Sequence, residues 1–222
     1  MKLNYKEILI FDFETTGLSP MQDKVIEVGA VLVQKHEDTF EIKKEINYLI
    51  KQREPISQFI TNLTGITNEM LESTGVDEEF AFNELNALIQ EDTLLIAYNL
   101  NFDIGFLLKL YQMYFDRKYM IKNDILDCMA VYKDRYEYPH KLSDAVERFK
   151  LTNDQAHRAS EDAKATFQVL LKLSEELDNM DKYVNVLGFN PKYRQPDTYF
   201  FKKPIKLVAQ GFKGFREIEK SK

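Results

Sequence analysis

Two carboxylates stand close together near the start of the chain, in the stretch ILIFDFETTGL from Ile8 to Leu18. The apolar residues before Asp12 and the glycine after Glu14 are typical of a buried strand followed by a turn. Because side chains alternate between the faces of a strand, Asp12 and Glu14 point the same way. Adjacent carboxylates repel each other and are costly to desolvate, and a divalent cation relieves both costs. The pair therefore predicts a metal site, with two solvated acids at a frayed strand end as the alternative.

Three further residues carry chemistry that such a site can use. Asp103, in AYNLNFDIGFL, lies at the start of a predicted helix, and Asp162, in QAHRASEDAKATFQVLL, lies on the first turn of another. A helix dipole alone also favours an acid at a helix start, so both aspartates have a purely structural interpretation. His157 precedes Asp162 by five residues, on a loop from which it can approach a metal-bound water. The alternative for His157 is an ordinary surface position.

The elements that must position these residues begin with three strands. The pattern of apolar residues predicts strands at the opening stretch, at Lys24–Gln34 and at Phe40–Ile50. Their connections are too short for helical crossovers, so we expect an antiparallel meander.

Helices and short strands alternate in the rest of the chain. Leu94–Ala97 and Ile125–Leu126 are typical of buried strands, and Thr67, Asp127 and Ser143 stand where helix N-caps are expected. The predicted helices cover Asn68–Ser73, Asp77–Gln90, Asn101–Phe115, the residues after Asp127 through Tyr132, Asp144–Lys150 and Ala159–Leu177. This order predicts an α/β fold with a mixed five-stranded sheet, three antiparallel strands followed by two parallel ones, flanked by helices. Sites in such sheets gather near the topological switch, which here is the first strand.

Length and composition are those of an ordinary globular protein. The 222 residues are 44% hydrophobic and 30% charged, enough for one sizeable domain with an appendage. The single cysteine, Cys128, is expected to be a small buried residue in a reducing compartment. No segment approaches membrane-spanning length and the N-terminus lacks the apolar core of a signal peptide, so we expect a cytoplasmic protein with no membrane partner.

The C-terminal residues 179–222 differ in character from the rest. Residues 182–222 contain ten lysines and arginines and three acids, a net charge of +7. Because the whole chain has a formal net charge of −6, residues 1–181 carry −13. Aromatic residues alternate with these basic ones, a composition that binds single-stranded nucleic acid through phosphate attraction and base stacking. The alternative, which we favour for the aromatics, is an extended arm packed on the body, with Ile205–Ala209 as an edge strand. In either case, the lysines provide an electrostatic path for a polymer substrate.

Taken together, the acidic motifs resemble those of the DEDD exonuclease superfamily, in its histidine-bearing subgroup. FDFETTGL resembles the first family motif, AYNLNFDIGFL the second and HRASEDA the third. NLTGIT, at Asn62–Thr67, is similar to a segment of the proofreading exonucleases of bacterial DNA polymerase III. These are the epsilon subunit and the exonuclease domain of PolC. The resemblance implies an RNase H-like fold, with an exonuclease domain at residues 1–178 and a basic, aromatic extension at 179–222.

The resemblance also implies a catalytic apparatus. Asp12, Glu14, Asp103 and Asp162 would hold two Mg²⁺ or Mn²⁺ ions, and His157 would be the general base for the attacking water. The expected reaction is removal of nucleoside 5′-monophosphates from a 3′ end.

Substrate contacts are implied in the same way. They would come from Thr15, Thr16, Gly17, Leu18, Tyr98, Asn99 and Phe102. Many family members have histidine where this chain has Tyr98, which cannot act as a cation, so the grip on the substrate is expected to differ there.

Three functions are compatible with these residues. The first is a 3′→5′ exonuclease acting on single-stranded DNA in proofreading or repair, which NLTGIT favours, with a polymerase subunit as a possible partner. The second is an exoribonuclease that trims RNA or short oligoribonucleotides. The third is a non-catalytic, polymerase-associated binding module, against which the presence of all four carboxylates and the histidine argues. The sequence leaves the oligomeric state undecided.

Overall fold

A central sheet of five strands organises the protein. The computed structural model describes residues 1–37, 39–152, 158–211 and 216–220. The strands are β1 Glu7–Thr15, β2 Val25–His36, β3 Thr39–Leu49, β4 Leu94–Ala97 and β5 Ile125–Asp127. Their order is β3-β2-β1-β4-β5, with β1 antiparallel to β2, β2 antiparallel to β3, and β1, β4 and β5 mutually parallel. The predicted fold class is therefore confirmed, and β1 lies at the centre of the sheet.

Helices connect and cover the strands. They are α1 Gln58–Thr64, α2 Asn68–Thr74, α3 Glu78–Asn86, α4 Leu100–Tyr114, α5 Cys128–Arg135, α6 Leu142–Arg148, α7 Ala159–Glu176 and α8 Glu217–Lys220. Two predicted caps are confirmed, because Thr67 accepts a hydrogen bond from the Met70 amide and Asp127 from the Met129 amide. None of the described helices has both the length and the apolar composition that crossing a lipid bilayer requires.

The predicted cap of α6 is wrong. This helix begins at Leu142, so Ser143 lies inside its first turn rather than at its N-cap. The Asp144 carboxylate accepts a hydrogen bond from the backbone amide of Lys141, the N-cap residue, 2.6 Å away. An acid at the third helical position has replaced the serine hydroxyl as the local hydrogen-bond acceptor.

Each face of the sheet has its own hydrophobic core. Leu9, Phe11 and Phe13 of β1 pack with residues of α3 and α4 on one face. Ile8 and Ile10 pack with residues of α5, α6 and α7 on the other. Full burial of such a side chain contributes about 1.5–3 kcal/mol, so this alternation fixes which face each β1 residue occupies. Asp12 and Glu14, which continue the series from Ile8 and Ile10, therefore belong to the face covered by α7.

The C-terminal extension is packed on the body, as expected for most of its aromatics. A short 3-10 helix at Met180–Tyr183 precedes β6 Val186–Phe189 and β7 Lys206–Ala209. Tyr183 and Phe201 are buried in the two cores, whereas Tyr193 and Tyr199 are exposed. The expected strand near Ile205 forms, but it pairs in parallel with β6 in a separate two-stranded sheet rather than at the edge of the main sheet.

Candidate active site

Three of the four predicted carboxylates meet at the carboxyl end of β1. The side chains of Asp12, Glu14 and Asp162 each offer an oxygen, and these oxygens all lie within 4.8 Å of one another. β1 supplies the first two because they share a strand face, and α7 supplies the third from its first turn. The three side chains are partly buried. Hard oxygen ligands at this spacing suit a divalent cation such as Mg²⁺ or Mn²⁺.

The fourth carboxylate, Asp103, reaches the same strand from α4. Its Oδ1 accepts a hydrogen bond from the Phe13 amide, 3.1 Å away, and Phe13 lies between Asp12 and Glu14 in β1. Asp103 is buried, and its pKa is raised well above its ordinary value by that burial and then by the charge of Asp12. The hydrogen bond therefore ties the start of α4 to the strand that carries the other ligands.

Burial and, after it, mutual repulsion raise the pKa values of the carboxylates in this cluster. Burial first, and then the charges of Asp162 and Glu27, raise the pKa of Asp12 to about 8. The pKa of Glu14 is raised to about 9, first by burial and then by Asp12, Asp162 and Glu27. Among the residues that the structure describes, no hydrogen-bond donor or cation contacts the carboxylate of Asp12 or Glu14. A bound divalent cation would offset these costs, so the donor set fits the metal that the sequence predicts.

A second carboxylate network, which the sequence analysis missed, holds the start of α7. Glu27 of β2 is fully buried, and its Oε1 lies 2.7 Å from Nη2 and 2.8 Å from Nε of Arg158. Its Oε2 accepts a hydrogen bond from the Ala159 amide at 3.0 Å. Asn47 of β3 donates to Glu27 at 2.9 Å and accepts from the Ser160 amide at 3.2 Å. Because α7 has no cap of its own, side chains from two strands satisfy its first amides.

Close packing at Gly29 reinforces this connection. Gly29 pairs with Asp12 across β1 and β2. A Cβ atom at position 29 would overlap the backbone of Ala159 and Ser160, so only glycine allows α7 to approach the sheet this closely. The sequence signal for the network was a single acid, Glu27, within the otherwise apolar run VIEVGAVLV. These contacts position Asp162 relative to Asp12 and Glu14.

Four of the predicted substrate contacts lie at the last residue of β1, Thr15, and in the turn that follows it. Thr15 Oγ1 donates to the Gly17 carbonyl at 2.6 Å, and the Lys24 amide donates to Thr16 Oγ1 at 2.9 Å. A Cβ atom at Gly17 would overlap the Asp23 carboxylate, so a larger residue there would displace that carboxylate, which accepts a hydrogen bond from the Ser19 amide at 2.8 Å. Leu18, in the same turn, has a side chain that is 84% exposed.

The other predicted substrate residues lie around the start of α4. Phe102 is partly buried and packs on Phe106, with ring centroids 5.1 Å apart, while Asn99 is exposed at the N-cap. Tyr98 is 6% exposed, and its hydroxyl lies 3.1 Å from the carbonyl oxygens of His140 and Lys141. The tyrosine that replaces the family histidine thus connects β4 to the loop before α6. His157, the predicted general base, lies outside the described residues.

The sequence profile of an exonuclease family, RNase T, matches residues 9–170. This range contains Asp12, Glu14, Asp103 and Asp162, and it extends over most of the chain. The chain belongs to the RNase T family of exonucleases.

Curated relatives of this RNase T domain are much longer proteins. A PolC-type DNA polymerase III of Latilactobacillus sakei is 32% identical over 98% of this chain, which spans 15% of that protein. The 3′-5′ exonuclease DinG of Bacillus subtilis is 31% identical over 79% of this chain, which spans 18% of that protein. The chain therefore corresponds to less than a fifth of either relative.

Solved structures share the fold at low sequence identity. A zinc-bound complex of E. coli exonuclease I with single-stranded DNA has a TM-score of 0.68 and 18% identity, covering 81% of this chain and 43% of that one. A 3′-exonuclease that recognises the 3′ end of a histone mRNA stem-loop has a TM-score of 0.64 and 18% identity, covering 81% of this chain and 86% of that one. These likenesses confirm the mixed-sheet exonuclease fold.

Proposed function

We propose that this protein is a metal-dependent 3′→5′ exonuclease that removes nucleoside 5′-monophosphates from single-stranded DNA, in proofreading or repair. The observation that carries the proposal is the carboxylate cluster of Asp12, Glu14 and Asp162, in which the pKa values of Asp12 and Glu14 are raised. Strongly perturbed acids that converge in a family of nucleases support a catalytic rather than a structural role. The cluster also accounts for an acidic body in a nucleic-acid enzyme.

Asp12, Glu14, Asp103 and Asp162 are the residues that would hold two Mg²⁺ or Mn²⁺ ions. Such a pair supplies charge stabilisation for the attacking and leaving oxygens of a phosphoryl displacement. The chain's contribution is to fix the ligands: the strand sets Asp12 and Glu14, the Phe13 amide holds Asp103, and the contacts of Glu27 set α7 and so Asp162.

The residues around the cluster would bind and orient the terminal nucleotide. Leu18, whose side chain is exposed, would contact a base, and the backbone of Thr15, Thr16 and Gly17 would contact its sugar. Phe102 and Asn99, at the start of α4, would form the facing wall. His157 would remove the proton of the attacking water, since its ordinary pKa near 6.5 suits that task at neutral pH.

The relatives support DNA as the substrate and a polymerase as a partner. Both curated relatives above are named for DNA polymerase or 3′-5′ exonuclease activity, and the E. coli exonuclease I structure contains single-stranded DNA. The histone mRNA 3′-exonuclease, which this chain matches over 86% of that structure's length, favours the second candidate, an exoribonuclease. We treat residues 1–178 as the exonuclease domain and 179–222 as its extension, in a cytoplasmic protein.

The test is a time course on matched DNA and RNA strands, each labelled at its 5′ end, with Mg²⁺ or Mn²⁺. We expect a ladder of products shortened from the 3′ end, faster on single-stranded DNA than on RNA or duplex. The Asp12→Asn variant, prepared in parallel, identifies any contaminating nuclease. Equal degradation by both proteins would overturn the catalytic assignment, release of the 5′-terminal nucleotide would overturn the polarity, and faster cleavage of RNA would favour the exoribonuclease.

A further inference from the structure

A cleft of about 390 Å³ lies where the C-terminal extension meets the body. Tyr98 and Asn99, at the carboxyl end of β4, form one wall. Lys133 of α5 and the loop from Tyr138 to Leu142 form a second. The extension contributes Asn190, Gln210 and Gly211, so residues beyond α7 form the third wall.

The strand register places this cleft at the same end of the sheet as the acidic cluster. Ile8 is paired with Leu94, and Ile10 with Ile96, in the parallel β1–β4 ladder. Asp12 follows Ile10 by two residues in β1, and Tyr98 is the first residue after the end of β4 at Ala97. Asn99, which lines the cleft, is also the N-cap of α4, and Asp103 in the first turn of that helix accepts a hydrogen bond from the Phe13 amide of β1. The cleft therefore opens at the same carboxyl end of the sheet as the predicted metal ligands.

The lining has the chemistry of a polyanion site in a region of the chain that is acidic overall. Residues 1–181 carry a net charge of −13, yet Lys133 and Lys141 both line this cleft. Neither lysine forms an ion pair with a carboxylate of the described residues. Tyr138 is 65% exposed, with its ring edge-on to His140 at 5.9 Å between centroids. Burial lowers the pKa of His140, so the positive charge here comes from the lysines.

The wall from the extension is held firmly in place. The buried side chain of Gln210 donates through Nε2 to the Ala130 carbonyl of α5 at 2.9 Å. The backbone amide of Gln210 donates to the Phe189 carbonyl at 2.6 Å. Asp134, also buried on α5, accepts from the Tyr183 hydroxyl at 2.9 Å and from the Ile218 amide at 2.7 Å. Both ends of the extension are thus bonded to the helix that carries Lys133, and the cleft is preformed.

We propose that this cleft binds the nucleotides on the 5′ side of the scissile bond of a single strand. Lys133 and Lys141 contact phosphates, and the exposed ring of Tyr138 stacks on a base. The proposal rests on the proposed function, which puts the 3′ end of the strand at Asp12. The cleft lies at the same carboxyl end of the sheet, where the preceding nucleotides would be bound. It also gives the extension a defined role, as one wall of the path taken by a polymer substrate.

The test compares two double charge reversals. Lys133→Glu with Lys141→Glu changes the cleft. Arg117→Glu with Lys118→Glu makes the same change in net charge at two exposed positions between α4 and β5, neither of which lines the cleft. We expect the cleft variant to weaken binding of a fluorescent ten-nucleotide oligothymidylate by on the order of tenfold, measured by anisotropy with Ca²⁺ in place of Mg²⁺. The control variant should bind within about twofold of the wild type.

Salt dependence distinguishes phosphate contacts from misfolding. Each lost phosphate contact with a single strand reduces the slope of log K against log salt by about 0.7, so the cleft variant should lose about 1.4 and the control nothing. A Tyr138→Ala variant should bind about fivefold more weakly, whereas Tyr138→Phe should retain the affinity. Equal weakening by both charge reversals, or an unchanged slope in the cleft variant, would overturn the proposal.

Activity separates this proposal from the proposed function. In the active enzyme, the KM of the cleft variant should rise at least about fivefold more for the ten-nucleotide strand than for a dinucleotide, which does not reach the cleft. An equal rise for both would count against the cleft. If the wild type cleaves neither substrate, the proposed function fails, while the anisotropy measurements still decide whether the cleft binds a strand.

Discussion

Glu14 and Glu27 lie directly opposite each other on β1 and β2, yet their surroundings differ completely. Glu27 is fully buried and bonded to Arg158, to the Ala159 amide and to Asn47. Glu14 receives no donor from the described residues, and its pKa is raised to about 9 by burial and by three neighbouring acids. Two glutamates on the same sheet face therefore differ in one respect: the charge of Glu27 is compensated by hydrogen-bond donors and a cation, and the charge of Glu14 is not.

The difference indicates that Glu27 contributes mainly to stability and Glu14 mainly to activity. The charge of Glu27 is compensated by an arginine and by the amino end of α7, so this residue fixes the position of a helix. The charge of Glu14 has no such compensation, so its environment favours either a proton or an added cation. Substitutions at the two positions should therefore have opposite consequences for activity and for stability.

Removal of the Glu14 charge should have the largest effect, and it should fall on activity. Glu14→Gln is expected to lower the exonuclease rate on the order of 10²–10³-fold, as loss of a charge-stabilising active-site group does. The unfolding free energy of the metal-free protein should be unchanged or higher, because a buried repulsion has been removed. Rates on a 5′-labelled strand and urea unfolding would measure the two effects, and a variant that loses both stability and activity would contradict the division.

Removal of the Glu27 charge should act mainly on stability. Glu27→Gln leaves Arg158 without its partner at the start of α7, and we expect the unfolding free energy to fall by about 2–3 kcal/mol, at the lower end for a broken buried pair because Arg158 is 31% exposed. Activity measured where the variant is still folded should fall less than in Glu14→Gln, because Asp162 moves but no metal ligand is lost. A double variant with Arg158→Gln should recover part of the stability, and additive losses would exclude coupling between the pair.

The smallest effect should be a pH dependence confined to the cluster. Asp12 and Glu14 have folded-state pKa values of about 8 and about 9, above their ordinary values of 3.8 and 4.5. The folded state therefore retains protons that the unfolded state releases, and stability falls as pH rises between about 4 and 9. We expect the melting temperature of the metal-free protein to decrease by several degrees over this window. Mg²⁺ or Mn²⁺ should raise the melting temperature more at pH 9 than at pH 5, because the carboxylates bind the ion in their deprotonated form.

The matched control for this pH dependence is the double variant Asp12→Asn with Glu14→Gln. It lacks both titrating groups, so its melting temperature should change less with pH and should respond less to either ion. An identical pH profile in the wild type and in the double variant would show that other groups set the dependence.

Local patterns predicted much of the fold because each strand and helix carries its own periodicity. The meander, the buried β4 and the long α7 all follow from apolar spacing, and the carboxylates from motifs within those elements. The start of α6 did not follow, since Asp144 and Ser143 are both plausible capping groups and only the fold shows which one reaches a free amide. The β6–β7 pairing was also outside local reach, because a parallel partner is chosen by tertiary packing.

The Glu27 network illustrates the same limit within the site. An acid in an apolar strand signals a partner somewhere, but it does not identify Arg158, which is 131 residues away. Tyr98 is similar: its type departs from the family pattern, and only the structure shows its hydroxyl against the loop at His140. The roles of the four metal ligands, of His157 as the general base and of the substrate-binding residues stay predictions.

The bond between Glu27 and the Ala159 amide spans 132 residues of sequence, and this has a consequence for how the protein is made. During synthesis, β1 and β2 leave the ribosome long before α7 exists, so Asp12 and Glu14 emerge without Asp162. On the proposed assignment of the metal ligands, the nascent sheet has no complete ligand set until α7 has emerged and docked against Gly29. A nuclease assembled in this order would be inactive as an unfinished chain and would become active only when α7 has packed on the sheet.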